Sequence, residues 1–352
     1  MFIQGHIEII QDILDNYLPK NFFKFVDNLT DNTDKKILKN LFVGLQYPDA
    51  PCGKYEVSSN NSILFKRAKI CEITKLFKLF SGDSYGESKI FQFHKGYFAH
   101  LHSMSTDPEN TVLKIRNKII NSIIGYALLA VYDDTIFSDD KQIKPNLFWI
   151  GIILHMITDS YSPAHTIRDT NYIKVKTVEK DKALLERLEV HELIKTLAKE
   201  DKLYEKQDFI QNLLNLSNHK MYIRVHKSQF WKIYKVFKFE YDINKIINKI
   251  ITKNIFNKSY KEQEGDIISF QYYDNQNILA HAQYDLLSYV KESPHVYHRM
   301  IAECKALLIL YKTAIETRDI AKFIKDLVKL LLNGTYRINK QNLKHKTDKI
   351  VN

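Results

Sequence analysis

Glycine and proline are scarce in this chain: 10 and 7 of 352 residues. Both interrupt regular structure, glycine through its conformational freedom and proline through its missing N–H. So few turn formers among many helix formers predict an all-α protein. Cysteine is nearly absent too. Cys52, Cys71 and Cys304 are widely spaced, with no C-x-x-C pair. That excludes a disulfide framework and fits a reducing compartment. The opening residues, MFIQGHIEIIQDIL, lack the basic start, long apolar run and small-residue cleavage site of a secretory signal. No uncharged apolar run reaches the about 18 residues of a membrane span. The expectation is a chain with no signal peptide and no transmembrane segment, its compartment cytoplasmic or left open.

Apolar residues are plentiful, 45% of the chain with 12% aromatic, enough for a sizeable core in one large domain or two ordinary ones. Lys and Arg total 52 against 41 Asp and Glu, a formal net charge of +11. A positive field favours an anionic partner: a phosphate ester, a nucleic acid or an acidic membrane surface. Two or three short amphipathic helices are expected over residues 6–42, then a loop over 44–55, where two prolines and two glycines fall. Helices are expected over 63–82, 111–132, 146–162, 178–200, 203–217, 276–292, 295–316 and 318–334. The polar, basic residues 336–352 read as a flexible tail.

The stretch from Trp149 to Arg168, WIGIILHMITDSYSPAHTIR, is the most informative. It is apolar almost all round, so it should be a buried helix. His155 and Asp159 lie four residues apart, and at about 3.6 residues per turn they leave the same face. Pro163 cannot continue the helix, and His165 follows where the chain has turned. A buried imidazole and carboxylate are costly unless paired or bound to a metal. Two ligands on one helical face and a third from the helix exit can converge on one ion, and His with carboxylate are ordinary zinc donors.

Gly151, His155, Asp159, Pro163 and His165 resemble the central helix of the zinc-dependent phospholipase C and single-strand nuclease superfamily. There an H-x3-D-x5-H segment serves a cluster of three zinc ions. The resemblance implies an all-α, multi-helix bundle with the metal site in a cleft between helices. It also implies further ligands. Asp49, in the Tyr47-Pro48-Asp49-Ala50-Pro51 turn, matches a metal-binding or base-like loop Asp. The segment FQFHKGYFAHLHSMSTDP holds His94, His100 and His102. His100 and His102 both lie roughly fifty residues before His155, as a family ligand does, and His102 is the better match. His94 and His100 are then candidates for contact with substrate. His281 and Asp285 form a second H-x3-D pair, matching the downstream pair of nuclease members if residues of about 172–265 are a helical, basic insertion in a single domain spanning 1–335. His191 is nearer, but Lys195 four residues on cannot ligate. His6, in Gln4-Gly5-His6, resembles the N-terminal His of the nuclease branch; where family members begin with Trp, this chain has Met1.

On this resemblance, His155, Asp159, His102 and Asp49 make one zinc site, His165, His281 and Asp285 a second, and His6 with the shared Asp159 a third. Arg168, just past the motif, reads equally as a group that orients a phosphate or as an exposed structural Arg. Two or three zinc ions would activate water for attack on a phosphoester, a phospholipase C-like phosphodiesterase. A single-strand nuclease of the same superfamily is the alternative, and a catalytically inactive relative serving as a binding or structural protein is a third reading. Residues 222–241 interleave Arg224, Lys227, Lys232, Lys235 and Lys238 with Phe230, Trp231, Tyr234 and Phe237. That pattern suits an ordinary amphipathic helix with a solvated Lys face, a phosphate backbone, or peripheral contact with an anionic membrane.

Overall fold

A computed structural model describes residues 1, 3–27, 34–49, 55–57, 63–65, 94, 96–132, 142–168, 265–273, 284, 285 and 287–338. The expected helices at 178–200 and 203–217, the basic aromatic stretch 222–241 and His281 lie outside the described residues. Within them the protein is dominated by helices, with two short two-stranded sheets. Among the described residues no helix is long and apolar enough to cross a membrane.

The helices are α1 (Ile3–Asp12), continued by a π-turn Ile13–Tyr17; α2 (Lys24–Asp27); α3 (Asp34–Gln46); α4 (Val112–Tyr132); α5 (Leu147–Asp159); α6 (Leu287–Lys291); α7 (Pro294–Thr317); and α8 (Ile320–Leu330), followed by a π-turn Leu331–Thr335. A 3-10 turn, Gly96–His102, stands ahead of α4. Strands β1 (Tyr55–Val57) and β2 (Ile63–Phe65) pair antiparallel, as do β3 (Thr166–Arg168) and β4 (Ile267–Phe270).

Helix α5 is the axis of the core. All its residues are buried, as its unbroken apolar sequence requires, and α3, α4, α7 and the 3-10 turn pack around it. Asn146 caps its start by accepting from the Phe148 N–H at 3.1 Å. Trp149 stacks on Tyr126 of α4, ring centroids 5.9 Å apart. Against α3 the approach is closer. A Cβ on Gly44 would overlap the Phe148 carbonyl, and one on Gly151 would overlap the Leu41 carbonyl. The two glycines let the helix backbones touch.

Three expected elements come out differently. The central helix closes at Asp159, not residue 162: Ser160 Oγ donates to the Ile157 carbonyl at 2.7 Å, and Pro163 disfavours a helical Ser162 before it. Ile63–Phe65 is a strand paired with Tyr55–Val57 instead of the start of a helix; β-branched and aromatic residues there suit a strand. Tyr336 and Ile338, assigned to the tail, are buried, and Ile338 bridges to Ile267.

Replacing Gly151 with Ala should force α3 and α5 apart. We expect a loss of stability of at least about 1–3 kcal/mol, the usual range for overpacking, read as a lower thermal midpoint by circular dichroism. Ile309→Ala, at an exposed site, should stay within about 0.5 kcal/mol of the parent. Equal midpoints for the two variants would contradict the close contact.

Candidate metal centre

Five separate chain segments deliver side chains to one buried spot. Helix α5 carries His155 and Asp159 on one face. Beyond it the chain doubles back: Ser162 N–H donates to the Asp159 carbonyl at 2.9 Å, and His165 N–H to the Ser162 carbonyl at 3.0 Å. This returns His165 to the face it left. The 3-10 turn supplies His102, α1 supplies His6, the turn after α3 supplies Asp49, and the segment before α6 supplies Asp285.

Asp159, fully buried, is the hub. Its Oδ2 lies 2.9 Å from His155 Nε2, 2.9 Å from His102 Nδ1 and 3.1 Å from His165 Nδ1. Its Oδ1 lies 3.2 Å from His6 Nε2. The Met1 amine pairs with Oδ1 of both Asp159 and Asp285, a positive charge seated between two carboxylates. Asp49 stands further off, 3.7 Å from His6 Nε2, 3.7 Å from His102 Nδ1 and 3.8 Å from His155 Nε2. Asp285 is 3.4 Å from His165 Nε2.

Backbone and hydroxyl partners fix two imidazole tautomers. His155 Nδ1 lies 2.8 Å from the Leu45 carbonyl. A carbonyl only accepts, so Nδ1 carries the proton and Nε2 holds a lone pair. Thr158 Oγ1 donates to the Leu154 and His155 carbonyls at 2.9 and 3.0 Å, so it accepts from His6 Nδ1 at 2.6 Å. His6 Nε2 therefore also presents a lone pair. Both lone pairs face Asp159, and acceptor facing acceptor repels unless a cation lies between. A second proton on each ring would serve, but burial resists it: it drives His155 down to about 4 and lowers His6 as well, against the pull of Asp159. A metal ion satisfies the geometry with neutral rings.

The other shifts agree with this. Burial, opposed by Asp159, pushes His102 down to about 4. Burial alone would raise the Asp159 carboxyl, but His165, the Met1 amine, His155 and His6 hold it well below the usual carboxylate range. Asp49 is raised well above that range, by burial first and by the charge of Asp159 second. Four groups have donor atoms within 4.8 Å of one another and can hold a metal ion: His102, His155 and Asp159; Asp159, His165 and Asp285; His6, Asp49 and His155; and His94, His102 and His165.

The structure thus brings together His6, Asp49, His102, His155, Asp159, His165 and Asp285. His94 is alongside, its ring stacked on His102 with centroids 3.8 Å apart. Two expected site residues are elsewhere. His100 turns into the core, its Nε2 2.7 Å from Tyr126 OH. Arg168 is buried and spends its donors within the protein: Nε on the Ser160 carbonyl at 2.9 Å, Nη1 on Gly265 O at 2.9 Å, and Nη2 on Thr335 O at 2.7 Å and Ser160 Oγ at 3.1 Å. Its guanidinium also lies 4.0 Å from the centre of the Tyr161 ring.

Sequence reading missed three supports. The Leu45 carbonyl orients His155, Thr158 orients His6, and Ser162 donates to Asp285 Oδ1 at 2.7 Å. A hydroxyl in an otherwise apolar helix is the one signal that pointed to Thr158. Compared with family models, curated proteins and solved structures, the chain matches none.

His102 and His155 titrate near 4 in the folded protein against 6.5 when free. Between those values the unfolded chain binds more protons, so their contribution to stability is complete above about 6.5 and is lost as pH falls towards 4. After chelator treatment and dialysis, the thermal midpoint should hold between pH 7 and 8 and fall across pH 6.5 to 4. A flat midpoint over that lower window would contradict neutral, buried imidazoles.

Proposed function

We propose that this chain is a zinc-dependent phosphoric diester hydrolase of phospholipase C type, a helical bundle with its metal centre in a cleft between helices. The observation that carries the reading is the surround of Asp159: four imidazoles and two further carboxylates converge, with two lone pairs locked toward the same buried carboxylate. Imidazole nitrogen with carboxylate oxygen is a zinc donor set. Because Asp159 belongs to two of the candidate groups, two or three neighbouring ions suit it better than one. Zinc held there supplies Lewis acidity, making water a nucleophile at neutral pH and offsetting charge on phosphoryl oxygens.

The protein's own groups divide the remaining work. The Leu45 carbonyl and Thr158 hydroxyl hold the rings of His155 and His6 so that each offers Nε2. Ser162 holds Asp285 beside His165. Asp49, at 13% exposure, is the most open of the three aspartates. Its Oδ2 has no hydrogen-bond partner among the described residues, so this oxygen can take a proton from attacking water. The net charge of +11 favours a phosphoester as the anionic ligand.

The test begins with metal content, by inductively coupled plasma mass spectrometry on protein purified without added metal. Two or three zinc ions per chain are expected, with hydrolysis of bis(p-nitrophenyl) phosphate and of short-chain phosphatidylcholine micelles. His155→Ala and His165→Ala should each lower that hydrolysis by about 100-fold or more, since even groups that merely orient a ligand cost 10–100-fold, while far-UV circular dichroism is kept. Faster cleavage of single-stranded DNA than of lipid would move the assignment to the nuclease branch. Absence of both zinc and hydrolysis would overturn it in favour of an inactive relative with a binding role.

A further inference from the structure

We propose that the chain holds an additional cation position formed by three imidazoles: His94, His102 and His165. It rests on reading the Asp159 cluster as a metal centre, and it assigns His102 to the far side of that cluster.

The ring of His102 has two nitrogens in two different surroundings. Nδ1 meets Asp159 Oδ2 at 2.9 Å and His155 Nε2 at 3.2 Å. Asp159 only accepts. His155 Nε2 holds a lone pair, because its Nδ1 proton is committed to the Leu45 carbonyl. Two acceptors converge on His102 Nδ1, and with the ions held on the His6 and Asp285 flanks of Asp159 a proton on this nitrogen satisfies both. The remaining nitrogen, Nε2, then holds a lone pair, and it is buried with no hydrogen-bond partner among the described residues. A buried acceptor left unsatisfied costs free energy.

Two other rings lie close to His102. His94 stacks on His102 with centroids 3.8 Å apart and planes 21° apart. His165 is 5.5 Å from His94 and 5.8 Å from His102, centroid to centroid. One nitrogen from each of the three lies within 4.8 Å of the other two, and all three residues are buried. Because His94 and His102 are nearly parallel, one ring turns about its Cβ–Cγ bond to aim both lone pairs at one ion, and that torsion is broad for histidine. Three imidazoles suit zinc, copper or nickel better than magnesium or calcium. The ions nearest Asp159 then draw on His6, Asp49 and His155 on one flank and on Asp285 on the other, while His102 donates its Nδ1 proton to Asp159 and binds through Nε2.

Zinc stoichiometry is measured on the parent, His94→Ala and His94→Phe after identical dialysis, with circular dichroism as the check on folding. Phenylalanine keeps a flat ring against His102 and removes both nitrogens. Both variants should hold one ion fewer per chain than the parent. A full complement in His94→Phe overturns this proposal alone and leaves the Asp159 centre standing. A parent without metal overturns the Asp159 reading and this one with it. Should the variants lose helix, anomalous diffraction at the zinc edge from parent crystals decides. A peak about 2.0–2.1 Å from a His94 nitrogen supports the site, and peaks confined to the Asp159 side overturn it.

Discussion

A single buried carboxylate governs this structure. Asp159 sits at the end of the most apolar of the described helices, with no exposure to solvent. Water cannot stabilise its charge there, so the protein must. Imidazoles from α1, α5, the 3-10 turn and the return loop do so, with the Met1 amine between Asp159 and Asp285. None of these segments has a reason to meet apart from that shared point and the core around it. Folding and the site are therefore one problem: the hydrophobic burial of α5 brings the carboxylate inside, and its charge sets what must accompany it.

The contact between α3 and α5 decides the geometry on one side. With glycine at 44 and 151, the backbones come close enough for the Leu45 carbonyl to meet His155 Nδ1. The same approach leaves the end of α3 beside the cluster, where the following turn presents Asp49. A larger residue at either position would displace the carbonyl that orients His155 and the Asp49 turn together. On the other side, Gln271, directly after β4, ties down the segments that carry His165 and His102: Gln271 N–H donates to the His165 carbonyl at 2.8 Å, and Ser105 N–H donates to the Gln271 carbonyl at 2.8 Å. Ser103, directly after His102, takes a left-handed backbone at φ 52. Its Oγ, donating to the Met156 carbonyl at 2.7 Å, holds it there. Strain next to a ligand of the candidate site is where such conformations concentrate.

A second buried polar network braces the return loop. Tyr161 OH donates to Glu303 Oε2 at 2.6 Å, Arg299 Nε donates to Glu303 Oε1 at 3.1 Å, and Arg168 links Ser160, Gly265 and Thr335. This joins α7, the π-turn at 331–335 and the start of β4 to the loop that carries His165. The positive charge of Arg168 is thereby used to position the loop, with four of its five N–H donors committed to Ser160, Gly265 and Thr335.

The amino-acid sequence by itself determined the helical character, the burial of α5 and the pairing of His155 with Asp159, because helical periodicity and unbroken apolarity are local properties. It also placed His165 at the exit of that helix, since Pro163 forces the chain to turn. Tertiary structure decided the rest. His100 and His102 are equivalent by spacing, but they lie two residues apart in a 3-10 turn of about three residues per turn. They must point to different sides: one to Tyr126 in the core, the other to Asp159. Arg168 looks like a phosphate ligand until the carbonyls it meets are known, and two of them lie roughly a hundred or more residues further along the chain. Which nitrogen of His155 or His6 bears the proton depends on the Leu45 carbonyl and the Thr158 hydroxyl. A tautomer is set by what stands opposite the ring in space, and no local pattern of residues encodes that.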